Sequence, residues 1–208
     1  RYTISGTLKW NITDWMFVTG RARLDNTVMN YTRKIYASSN KLYASEFGNY
    51  QDNTIMHNNF YGDILLTIDK KFVDNKLALT ANVGASLVDD KNKASGFEGH
   101  LATVANKFSV YNISMTHSQT RPMADRWHDQ NQAVYGTLQL GWNGMVYVDG
   151  TVRNDWSSQL AFTPNQSVCY YSVGLSGVIS SMVDLSKTGI SFLKVRGSYS
   201  TAGNPPER

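Results

Sequence analysis

The residues best equipped for chemistry in this sequence are charged ones that recur in the polar phase of an alternating pattern, an even number of positions apart. They are Arg21, Arg23 and Asp25; Asp63 and Asp69; Asp149, Arg153 and Asp155; Lys194 and Arg196, with Lys9 ahead of them. A spacing of two puts such side chains on one face of a β-strand. Mixed signs on one face give ion pairs and hydrogen bonds between neighbouring strands, a chemistry that suits a water-lined wall. Catalysis finds no pattern. His57, His100, His117 and His128 lack metal-site spacing, and no serine sits in a nucleophile elbow. Gly84, Gly96 and Gly99 form no phosphate-binding motif, and Asp89, Asp90 and Asp125 read as solvated loop residues. The single Cys169 excludes an internal disulfide and a cysteine-rich metal centre. The reading is a non-enzyme with no cofactor and no metal. A second set suits ligand contact: Tyr43, Phe47, Tyr50, Trp127, Tyr170 and Tyr171, all expected in long loops, carry faces that stack on sugar rings.

The elements that must position these residues alternate with period two almost throughout. Tyr2, Ile4, Leu8 and Trp10 alternate with Thr3, Ser5, Thr7 and Lys9. Met16, Val18, Ala22 and Leu24 oppose Thr19, Arg21, Arg23 and Asp25. A strand expected from about Asn59 to Phe72 sets Ile64, Leu66 and Ile68 against Asp63, Thr67 and Asp69. It turns at Val73-Asp74-Asn75 into the apolar row Leu77, Leu79, Ala81, Val83, Ala85 and Leu87. Val134, Leu138, Leu140 and Trp142 pair with Val146, Val148 and Val152 across Asn143-Gly144, a strong hairpin signal because both positions accept positive φ. Val173, Leu175 and Ile179, then Leu193, Val195 and Tyr199, form the last hairpin.

Charged residues are only 17% of the 208 residues and aromatics 12%, against about 25% charge in soluble domains. No apolar run approaches the roughly 20 residues of a membrane helix. A mean hydropathy of −0.36 is compatible with a barrel, since only alternate residues of each strand meet lipid. The net charge of +4 is scattered, and no nucleic-acid module is recognisable.

Short connections near 11–14, 73–75, 143–144 and 181–190 alternate with long ones near 26–58, 88–132 and 157–171. Outer-membrane barrels have that rhythm, with short periplasmic turns and long extracellular loops. Trp10, Trp15, Phe72, Trp142, Tyr147 and Phe192 flank the short turns, as an interfacial aromatic girdle requires. Phe108–Ser114 also alternates. Strand parity places it inside the long 88–132 loop as a local strand or hairpin, leaving eight crossing strands with residues 1 and 208 both on the extracellular side. The fold class is therefore all-β, an antiparallel transmembrane β-barrel segment.

Several stretches resemble SusC/RagA-type TonB-dependent outer-membrane transporters. They are Tyr135-Gly136, the run Tyr147–Ser158, Ile12–Trp15 leading into Gly20-Arg21, and Leu193–Tyr199 followed by Gly203-Asn204. The resemblance covers the chain in order and spacing. It implies that residues 1–208 are part of a barrel of about 22 strands, without its plug, its TonB box and its remaining strands. It also implies a Bacteroidetes-type outer membrane, a SusD-like surface lipoprotein as lid, and uptake of glycan or peptide powered through TonB. Arg21, Arg23, Asp149, Arg153, Asp155 and Arg196 then face the lumen and plug. A passive porin and a soluble carbohydrate-binding β-sandwich stand as alternatives. In the barrel, Leu79, Ala81, Val83, Leu138, Leu140, Val148 and Val195 face outward, and Thr80, Gln139, Asp149 and Arg196 inward. Residues 2–9 and 192–200 should not pair with each other.

Overall fold

The structure, a computed structural model, describes residues 1–40, 42, 45–116, 120–164, 166–183 and 189–203. Eight strands follow one another: β1 (Tyr2–Thr13), β2 (Met16–Ile35), β3 (Asn49–Phe72), β4 (Leu77–His100), β5 (Arg121–Trp142), β6 (Val146–Ser157), β7 (Ser167–Val178) and β8 (Lys194–Ser200). They form one sheet in the order β1-β2-β3-β4-β5-β6-β7-β8. A β-sandwich needs two stacked sheets, so that alternative fails. β1 and β8 stand at opposite ends of the order, and the expected lack of pairing between them holds.

The chain divides into two compact units. One comprises Ser5–Arg23, Phe60–Asp89 and Asp129–Arg208, and it holds the short turns. Val73, Asp74 and Asn75 turn β3 into β4 with φ of 52°, 52° and 67°, closed by Lys76 N–H donating to the Val73 carbonyl at 3.0 Å. Asn143 (φ 52°) and Gly144 (φ 69°) make the β5–β6 hairpin as the Asn-Gly pair requires. Adjacent short turns are joined: Asn143 N–H donates to the Lys76 carbonyl, and Val178 N–H to that of Met145. With Asp69 N–H donating to the Trp15 carbonyl as well, the described parts of the expected rim lie side by side. The β7–β8 connection opens with a helical turn, α1 (Ile179–Met182). Residues 184–188 of that expected turn lie outside the described residues.

The other unit comprises Arg1–Ile4, Leu24–Asn59 and Asp90–His128. Here the strands run further than their apolar alternation, and the expected loop boundaries need correction. β2 continues to Ile35, β3 begins at Asn49, β4 continues to His100 and β5 begins at Arg121. Residues 88–132 are therefore mostly strand. Phe108–Ser114 forms no local strand or hairpin; it holds a 3-10 turn at Val110–Asn112 and one bridge, Leu101 to Ile113. There the strands are held by backbone pairing together with side-chain pairs such as Arg33 with Glu98 and His57 with Asp90.

Alternation then sorts every side chain to a face. The outward face is apolar and open to the surroundings: Val83 is 58% accessible, Leu138 47%, Leu175 57% and Val195 59%. Among the described residues the buried apolar side chains are only Ala94, Leu101, Ile113, Ala133 and Val178. A water-soluble domain buries its apolar row; this sheet presents it.

Candidate functional site

The polar face of the first unit is a hydrogen-bonded wall. Arg21 on β2 grips Asp63 on β3 as a fork, its Nε donating to both carboxylate oxygens at 2.9 and 3.2 Å while Nη2 donates to Oδ2. The Asp63 carboxylate is fully enclosed, so this bidentate geometry is what keeps its charge satisfied. Thr67 donates to Asn82 (2.8 Å), which donates to Thr137 (2.9 Å), carrying the network from β3 to β5. Arg153 Nε donates to both oxygens of Asp155 at 2.8 and 3.0 Å, and its guanidinium lies 5.6 Å from the centre of the Tyr135 ring. Arg196 reaches Asp149 at 3.9 Å, and Lys194 stands over Tyr147. Glycine makes room for these groups. A Cβ at Gly84 would meet the Tyr135 ring at 2.7 Å, and one at Gly174 would run into the Asp149 carboxylate.

The expected wall residues thus share one face. Arg21, Asp149, Arg153, Asp155 and Arg196 pair within the wall, and Arg23, on the same face of β2, is also engaged. Opposite the short-turn aromatics, outward rings recur at Phe60, Trp156, Tyr171 and Tyr199, with the last two 6.3 Å apart. Trp156 sits level with Gln132, ten residues of β5 from Trp142. At about 3.4 Å per residue and a tilt near 40° that is about 26 Å, the height of an outer-membrane apolar band. On the outward side near the first rim, Lys70 lies 4.4 Å from the Trp15 ring centre and 5.2 Å from that of Phe72.

The six aromatic candidates scatter. Tyr50, Trp127, Tyr170 and Tyr171 lie on strands β3, β5 and β7, not in loops. Tyr171 shares the outward face with Val173 and Leu175, whereas Tyr170 shares the polar face and pairs in register with Arg153. Phe47 is in the 36–48 connection, and Tyr43 lies outside the described residues. Asp89 and Asp90 are on β4 and Asp125 on β5; His57, His100 and His128 are likewise on strands, with His117 outside the described residues.

In the second unit two clusters emerge that spacing did not reveal. Tyr50 packs against Phe97 and Phe108 (5.5 and 5.9 Å between ring centres), and Phe108 meets Tyr36 edge-on at 5.0 Å. Burial first, then the Asp52 carboxylate that its hydroxyl contacts, hold the Tyr50 phenol above the ordinary tyrosine range. Asn112, itself buried, ties the 101–120 connection together. Its Oδ1 accepts from Thr103 and Val104, and its Nδ2 donates to the carbonyls of Val104 and Lys107. The other cluster is on the polar face, where the His57 imidazole pairs with Asp90 and lies 6.1 Å from Trp127. That combination can stack on a ring or an apolar side chain and hydrogen-bond a polar ligand. Among the described residues, no group of three His, Cys, Asp or Glu is close enough to hold a metal ion.

A single meander with one apolar exposed face and one polar networked face is a section of a β-barrel wall. Three solved structures share it. The chain superposes on the RagAB peptide transporter with a TM-score of 0.80 at 19% identity, over 97% of this chain and 22% of the other. It matches the RagAB peptide importer in its open-open state (0.81, 20% identity, 97% and 22%) and its closed-closed state (0.83, 19%, 98% and 22%). The chain spans about a fifth of the length of the chains it matches. The fold implied by the sequence resemblance is the fold found. No protein-family model matches the sequence, and no curated protein matches it.

Proposed function

We propose that the chain is wall from an outer-membrane transporter of the SusC/RagA type, in a Gram-negative, Bacteroidetes-type envelope. It imports peptides or oligosaccharides with energy delivered through TonB, and works beneath a SusD-like surface lipoprotein. The observation that carries the reading is the two-faced sheet, whose outward apolar row between Trp142 and the level of Trp156 matches a bilayer in height. The likeness to a peptide transporter and importer supports transport and favours peptide cargo. An unpaired strand edge does not persist in lipid, so β1 and β8 pair with further strands in a larger barrel that also holds a plug. Within this reading His57, Asp90 and Trp127 are the wall residues best suited to touch cargo.

Uptake of labelled oligopeptides and oligosaccharides, in cells with and without the gene, tests the proposal. Uptake should vanish with the gene and with removal of TonB. Uptake that survives loss of TonB would make the protein a passive pore. Recovery of the protein in a detergent-free soluble fraction would refute the membrane reading itself.

A further inference from the structure

β5 outruns its neighbour. Its pairing with β6 ends at Asn131 opposite Ser157, after which the chain leaves the sheet through a 3-10 turn at Ser158–Leu160. The stretch Arg121–Gln130 therefore has β4 on one side and, among the described residues, no strand on the other. β5 and β6 are both inner strands of the sheet, so strands added beside β1 or β8 do not complete this edge. Arg121 to Arg126 are exposed at every position, Ala124 included.

Alternation fixes which backbone groups look out of that edge, because neighbouring residues of a strand turn their N–H and C=O groups to opposite sides. Asn143, just past β5, donates its N–H to Lys76 at the foot of β4, and Gln130 donates its N–H to Ser158 on the other side. Odd residues thus serve β4 and even ones the opposite edge. Counting back along β5, the N–H groups of Ala124 and Arg126 and the carbonyls of Pro122, Ala124 and Arg126 open on the free edge. No partner for them is present among the described residues. Pro122, which has no N–H to give, falls at an edge-facing position, as a strand proline must. Met123 and Asp125 share the polar face with Trp127; Met123 is 37% accessible and Asp125 is exposed. Among the described residues no cation pairs with Asp125.

We propose that the β5 edge from Pro122 to Arg126 takes up an extended peptide as an added strand. The inference rests on the transporter reading above and selects the peptide from its two cargo classes. A free edge is satisfied by a main chain that repeats N–H and C=O groups at strand spacing; sugar hydroxyls have no such repeat. The ladder reads no sequence, so the polar face supplies the preference: a lysine or arginine beside Asp125 and an apolar side chain beside Met123.

The test is fluorescence anisotropy on the full-length protein in detergent, with a labelled octapeptide that alternates leucine and lysine with threonine. Methylating one alternate set of its backbone amides should weaken binding at least about tenfold, and methylating the other set should have no effect, because only one edge of the peptide pairs. This arm uses the native protein and stands whatever the variants do. Ala124→Pro, which removes an edge N–H where proline fits, should weaken binding about fivefold. Asp125→Lys should reverse the charge preference, so that a glutamate counterpart binds better than the lysine peptide, a result misfolding cannot produce. A linear glucose hexasaccharide should not compete. Equal effects of the two methylated sets, a folded Asp125→Lys protein that keeps the lysine preference, or competition by the hexasaccharide would each overturn the edge as a peptide site. So would an Ala124→Pro variant that binds peptide normally but sheds a co-purified lipoprotein, since the edge would then hold that partner. Peptide that cells import but that binds without regard to methylation sinks only this inference. Cells that import no peptide sink the reading it rests on.

Discussion

Replacing Leu138 by arginine tests the two-faced wall most directly. Leu138 is on β5, four residues from Trp142, and its side chain lies on the outward face. Four residues at about 3.4 Å, tilted near 40°, place it about 10 Å inside the band, close to the midplane of a layer about 25 Å thick. A cation there should cost about 2–4 kcal/mol. Val134 occupies the same face eight residues from Trp142, which is about 21 Å up and near the far interface, where the cost falls to about 0–1 kcal/mol. Gln139 is one residue from Leu138 but on the polar face, in register with Asp149. Gln139→Arg should therefore be close to neutral. The assay is denaturant unfolding of the intact protein in lipid vesicles, followed by tryptophan fluorescence. The expected order of destabilisation is Leu138→Arg, then Val134→Arg, then Gln139→Arg. Equal costs for Leu138→Arg and Gln139→Arg would show that both faces meet the same environment, and a larger cost at Val134 would show that the band is misplaced.

Asn112→Ala removes the side-chain partners of backbone groups of Thr103, Val104 and Lys107, so local opening of the 103–112 segment should become easier by about 1–3 kcal/mol, read as faster amide exchange at Thr103 and Val104. Gly84→Ala drives a methyl into the Tyr135 ring and should cost about 1–3 kcal/mol, whereas Gly136→Ala, with nothing nearer than 3.7 Å, should be nearly neutral in the same unfolding assay. The fold favours the neutral Tyr50 phenol, so its contribution is intact below the unfolded tyrosine pKa of about 10 and is lost as pH rises through the higher folded value. Ultraviolet difference titration against Tyr50→Phe should show one phenol ionising late.

Much of the wall was legible because period two runs unbroken where one face of the sheet is apolar. Leu77 to Leu87 and Val134 to Trp142 kept their phase, and Asn143-Gly144 declared its turn. Strand length was not legible. Arg121 to Gln132 carries no apolar row, so hydrophobicity reads it as loop, although backbone pairing holds it as strand. Tyr171 was misread for a simpler reason, since its parity with Val173 and Leu175 already assigned it outward. The pairing of His57 with Asp90 spans 33 residues, and only the register between β3 and β4 brings them together. The hub at Asn112 has no sequence signature, because its partners are backbone groups placed by the loop itself.

The polar wall also changes what its charges can be asked to do. As isolated groups, Arg21, Asp63, Arg153 and Asp155 would need water or a plug to satisfy them, since an unpaired buried charge is very costly. Instead Arg21 forks onto Asp63, and Arg153 onto Asp155, with the Tyr135 ring beneath the guanidinium. Such a wall neutralises its charges among its own strands and needs no outside group to satisfy them. A charge already held by a bidentate partner has little left to offer a passing ligand, and displacing that partner would expose a carboxylate with no accessible surface of its own. Recognition is therefore better served by groups whose faces remain available. The Trp127 ring, set beside the His57–Asp90 pair, has that character.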